Sequence, residues 1–76
     1  MYISYSNRIK EHVKKSIKTF FCEIFGDCHI VFFTIENQRC LRVTSLKNKI
    51  LDENTLYKIG SFFENVNVQS PRIIII

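Results

Sequence analysis

Between Cys28 and Glu36 the chain reads Cys-His-Ile-Val-Phe-Phe-Thr-Ile-Glu, and this segment limits the fold more than any other. Its β-branched and aromatic content predicts a strand. Side chains alternate across a strand, so Ile30 and Phe32 project to one face while Val31, Phe33 and Ile35 project to the other. A strand that is apolar on both sides needs two covers: helices on one face of its sheet, and something else on the second.

Arg39 to Leu46 repeats the β-type composition after Asn37-Gln38, which predicts an antiparallel hairpin. A two-residue loop suits Asn37, which tolerates positive φ, but it sets Arg42 across from Phe33 and Cys40 across from Ile35. A three-residue loop aligns Val31, Phe33 and Ile35 with Leu41 and Val43. Hydrophobic matching favours this second register, because a one-residue slip exchanges the faces of the whole strand. It leaves Ile30, Phe32, Thr34, Arg42, Thr44 and Leu46 on the uncovered face.

The covering layer is legible on either side of the hairpin. Ile9, Val13, Ile17, Phe20 and Ile24 recur at helical spacing and predict a helix over Asn7 to Phe25. Ser6 or Asn7 is the expected cap, and Gly26 the expected stop. A second helix is predicted over Asp52 to Glu64, with Asp52 as cap and Leu56, Ile59, Gly60 and Phe63 on one face. Glycine inside a helix costs roughly 1 kcal/mol against alanine, so Gly60 suggests a close approach to the sheet or the other helix. After Val66 to Gln69 and the break at Ser70-Pro71, Ile73 to Ile76 reads as a strand buried on both faces or paired across a subunit boundary. Tyr2 to Tyr5 adds a short extended piece.

These readings predict an α+β fold occupying residues 1–76 as one domain. Two helices pack on one face of a three- to four-stranded sheet in a two-layer sandwich of order α-β-β-α-β. A chain of 76 residues buries only about 60% of the surface it exposes when unfolded, so help from a disulfide, a metal or a second subunit is worth seeking. Neither a signal peptide nor a membrane span is read, since no strongly apolar run approaches the roughly 18 residues a span requires. Three cysteines are an odd number and read as reduced cytosolic thiols.

Cys22, Asp27, Cys28, His29 and Cys40 have the side-chain chemistry of a zinc site. A hairpin separates Cys28 from Cys40 by about 20 Å at roughly 3.3 Å per residue, too far for a shared metal or a disulfide. Cys28 and His29 are strand neighbours and point to opposite faces, so they do not form a nucleophile and its base. Asp52 and Glu53 are explained by helix capping, and with Gly26 and Gly60 as the only glycines there is no glycine-rich phosphate loop. The sequence therefore predicts no catalytic residue, no metal and no cofactor.

Two binding readings remain. The formal charge of +4 is concentrated in the first helix, where Arg8, Lys10, Lys14, Lys15 and Lys18 occupy an arc of about 160° at 100° per residue. The leading expectation is a cytoplasmic, non-enzymatic interaction module. It homodimerises through the uncovered sheet face, the last strand, or both, using Ile30, Phe32, Ile73, Ile74, Ile75 and Ile76. The alternative is nucleic-acid binding, with Lys10, Lys14, Lys15 and Lys18 on phosphates and Arg42 or Phe32 as a secondary contact.

Overall fold

The computed structural model describes residues 1–45 and 51–74. Six elements follow in the order β1 (Tyr2–Tyr5), α1 (Glu11–Phe25), β2 (Cys28–Ile35), β3 (Gln38–Ser45), α2 (Glu53–Asn65) and β4 (Arg72–Ile74). The four strands form one antiparallel sheet in the order β2-β3-β1-β4. β3 thus lies between β1 and β2, the split βαβ arrangement also called ferredoxin-like. The expected α+β class and two-layer packing are present. The short piece at Tyr2–Tyr5 proves to be an interior strand, pairing with β3 on one side and β4 on the other.

Both helices bury onto one face of this sheet. Ile17, Phe21 and Phe25 of α1 and Ile59 and Phe63 of α2 join Ile3, Tyr5, Ile30, Leu41 and Val43 in the core. Phe20 and Phe62 stack between the helices, with ring centroids 4.0 Å apart and planes 3° from parallel. Gly26 ends α1 at φ 73° and donates its N–H to the Cys22 carbonyl. Asp52 caps α2 by accepting from the Thr55 N–H at 2.7 Å.

Three expectations are corrected. The hairpin turns through Glu36 and Asn37, both at positive φ, so Ile35 pairs with Gln38 and Phe32 with Leu41. This is a two-residue loop whose twist matches that of the strands, and Gln38 belongs to β3 rather than to the turn. The slip relative to the expected register inverts the faces: Ile30 and Phe32 lie under the helices, and Val31, Phe33 and Ile35 lie on the uncovered side.

Ser6 and Asn7 do not cap α1, which begins at Glu11 with Lys10 in the cap position and no side-chain cap. Instead they hold the chain leaving β1 against the segment before β4. The Asn7 amide nitrogen donates to the Asn67 carbonyl, its oxygen accepts from the Gln69 N–H, and the Ser6 N–H and hydroxyl both donate to the Gln69 carbonyl. Gly60, finally, is exposed, and a Cβ added there would meet nothing within 4 Å. Close packing therefore does not explain it. The polar connection expected over Lys47 to Lys49, with Leu46 before it, and the end of the last strand, Ile75 and Ile76, lie outside the described residues.

Candidate functional site

Directly paired residues share a face of an antiparallel sheet, so the strand register defines the composition of the uncovered side. Nearest the hairpin turn are Ile35 and Gln38. The next row is Phe33, Cys40, Ser4 and Arg72, followed by Val31, Arg42, Tyr2 and Ile74, and then His29 and Thr44. Five of these twelve positions, Tyr2, Val31, Phe33, Ile35 and Ile74, are apolar or aromatic, and none is acidic. Antiparallel sheets with one solvated face ordinarily show polar residues there. Here Ile35 is 55% exposed and Ile74 is 50% exposed. Tyr2 and Phe33 meet edge to face, with centroids 6.1 Å apart across the intervening β3 strand. A shallow concavity of about 740 Å³ opens over Tyr2, Ser4, Phe33, Ile35, Cys40 and Ile74, with Glu36 and Arg72 at its margin.

Of the six residues expected to form a dimer interface, the four that lie among the described residues are divided by the sheet. Ile30 is buried in the core and Phe32 is half-buried against it. Ile73 pairs with Ile3 and packs toward the helices, while Ile74 pairs with Tyr2 on the uncovered face. Tyr2, Val31, Phe33 and Ile35 take the places that sequence reasoning gave to Ile30 and Phe32. The signal was the alternation of β2, which shows two apolar faces but not which one the helices occupy.

A second surface lies on the helical side, at the β2 edge. The Lys14 ammonium sits 5.3 Å and the Lys18 ammonium 5.9 Å from the centroid of the Phe32 ring, within cation–π range. Lys14 also meets Glu11 at 3.5 Å. Arg8, Lys10, Lys14 and Arg39 line one concavity of about 780 Å³ with Glu11, Phe32 and Tyr5. Burial raises the Tyr5 phenol above its ordinary pKa, with the Arg39 charge opposing this. Of the five basic residues expected to act together, Lys10, Lys14 and Lys18 lie along this edge. Lys15 is exposed on α1 but does not line the concavity, and Arg42 projects from the opposite side of the sheet. Arg39, not singled out from the sequence, joins the group because its partners across the sheet are Tyr5 and Thr34.

The thiols are arranged differently from any pairing the sequence suggested. Cys40 pairs with Phe33 and Cys28 with Ser45, which leaves Cys40 about 16 Å along the hairpin at roughly 3.3 Å per residue. Cys22, in the last turn of α1, instead brings its Sγ to 3.4 Å from that of Cys28. Burial raises the Cys28 thiol to a pKa of about 11, helped by its hydrogen bond with Cys22 and by the charges of Cys22 and Asp27. His29 lies on the other face of the sheet from Cys28.

Among the described residues no helix is long and apolar enough to cross a membrane, and no group of three or more His, Cys, Asp or Glu side chains is placed to hold a metal ion. No protein-family model matches the chain, and neither a curated protein nor a solved structure shows significant similarity to it.

Proposed function

We propose that this chain is a cytosolic, non-enzymatic interaction module that homodimerises through its uncovered sheet face. The observation that carries the reading is the composition of that face: Tyr2, Val31, Phe33, Ile35 and Ile74 share it, and no element among the described residues covers them. Tyrosine, phenylalanine and arginine are the residue types enriched at protein interfaces, and a charge-depleted apolar centre with polar residues around it is the usual interface anatomy. Arg42 is the residue that constrains the geometry. Burying its guanidinium unpaired costs several kcal/mol, so the partner copy must supply an acceptor, and Glu36 at the margin of the same face is the carboxylate available for it. A second copy also compensates for the limited core of a chain this short.

A second reading, nucleic-acid binding, is favoured by Arg8, Lys10, Lys14 and Arg39 around one concavity, with Lys18 beside it over Phe32. Phosphate binding by such a group is electrostatic and weakens steeply as salt rises. The two surfaces lie on opposite sides of the sheet, which makes them separable by mutation.

Size-exclusion chromatography with light scattering at micromolar concentration tests the first reading. Wild type elutes as a dimer, Phe33→Glu as a folded monomer, and Lys14→Glu/Lys18→Glu remains dimeric. A monomeric wild type refutes the dimer. Titration with a mixed single-stranded oligonucleotide pool at two salt concentrations tests the second reading, which fails if nothing binds at low salt.

A further inference from the structure

Cys22 and Cys28 are six positions apart in sequence, and the end of a helix brings them together. Gly26, at φ 73°, turns the chain out of α1 while its N–H holds the Cys22 carbonyl at 2.9 Å, and β2 starts two residues later at Cys28. The sulfurs are 3.4 Å apart, within the roughly 3–3.5 Å at which reacting atoms are positioned for attack. Cys22 is exposed and Cys28 half-buried. An open concavity of about 480 Å³ surrounds them, lined by Gly26, Asp27, His29 and Thr44, so a small molecule can reach the pair. Cys40 is remote from both along the hairpin.

We propose that Cys22 and Cys28 form a reversible dithiol–disulfide site whose co-reactants are small disulfides of neutral or positive charge. The exposed Cys22 thiolate attacks one sulfur of the reagent, whose S–S bond breaks and releases one thiolate, which takes a proton from water. A mixed disulfide remains on Cys22. Cys28 then loses its proton to solvent and attacks the Cys22 sulfur, expelling the second small thiolate, which is protonated in turn. The products are a Cys22–Cys28 disulfide and two small thiols, and the two electrons lost by the protein reduce the reagent. Asp27 borders the site, and its negative charge disfavours an anionic reagent such as glutathione disulfide relative to the dication cystamine. The finished bond joins the end of α1 to the start of β2.

The folded protein is incubated with cystamine or glutathione disulfide, quenched in acid and analysed by intact mass and peptide mapping. Wild type is expected to lose two hydrogens with no retained adduct, through a Cys22–Cys28 link, and to react at least several-fold faster with cystamine at low salt. Cys28→Ser retains one cysteamine on Cys22, and Cys22→Ser forms no internal link. Repeating the wild-type reaction in unfolding urea slows ring closure relative to adduct formation by tenfold or more, a readout that needs no variant to fold. A lasting adduct on the wild type, a link through Cys40, or ring closure equally efficient in urea overturns the site. Equal rates for the two reagents overturn the role of Asp27.

Discussion

Replacing Ile35 by Ser removes one of the two most exposed isoleucines of the uncovered sheet face and leaves the core untouched. Ile35 is 55% exposed in the protomer. Full burial of an isoleucine side chain contributes about 1.5–3 kcal/mol, so covering the exposed part contributes about 0.8–1.7 kcal/mol. A twofold interface contains the residue twice, which doubles the loss to about 1.7–3.3 kcal/mol. At a factor of ten per 1.4 kcal/mol, the dimer dissociation constant rises roughly 15- to 200-fold. Sedimentation equilibrium over a dilution series measures this directly, and urea unfolding of the monomeric species should show protomer stability changed by no more than about 0.5 kcal/mol, as at other exposed sites. An Ile35→Ser dissociation constant within twofold of wild type would refute the placement of Ile35 in the interface. Loss of protomer stability instead of association would mean that the residue acts within the fold.

Three further outcomes follow from the fold. Gly60→Ala places a methyl group in open space on an exposed turn of α2 and should stabilise the protein by about 0.5–1 kcal/mol in chemical denaturation; a destabilised variant would reveal a packing role for the glycine. Gly26→Ala forces a side chain onto φ 73° and should destabilise by about 1–3 kcal/mol although no atom obstructs the Cβ, so an unchanged unfolding midpoint would contradict the observed turn. The Asp52 carboxyl is held below its ordinary pKa by its hydrogen bonds with Thr55. A depressed carboxyl pKa adds stability that is complete above the unfolded carboxylate range and is lost as the pH falls through the folded value. The thermal midpoint of Asp52→Asn should therefore fall less than that of wild type between pH 5 and pH 2, and parallel curves would exclude this carboxylate as a source of the acid sensitivity.

The helices were the most legible part of the chain because their signals are local. The apolar stripe from Val13 to Ile24 lies within α1, Gly26 ends it at positive φ, and Asp52 caps α2 through Thr55. The helix start is not legible in the same way, because Ser6 and Asn7, residues suited to capping, are engaged by Asn67 and Gln69 some 60 positions away. The hairpin was recognisable, but its turn places Glu36 at φ 49°, a conformation that nothing in the local sequence signals for glutamate. The single-residue difference moved Ile30 and Phe32 from the expected interface into the core layer. The pairing of Cys22 with Cys28 and the approach of Arg39 to Lys14 depend on how a helix meets a strand and how β1 inserts beside β3, neither of which leaves a periodic trace.

By itself the sequence determined that this chain is an α+β domain with two amphipathic helices and a strand too apolar to have one solvated side. Those properties follow from the order of neighbouring residues, where spacing and β-branching act directly on the backbone. Only the tertiary structure decided which side of that strand faces solvent. Opposite faces alternate residue by residue, so the choice depends on register, and register is settled by the turn together with β1 and the two helices packing against the whole sheet.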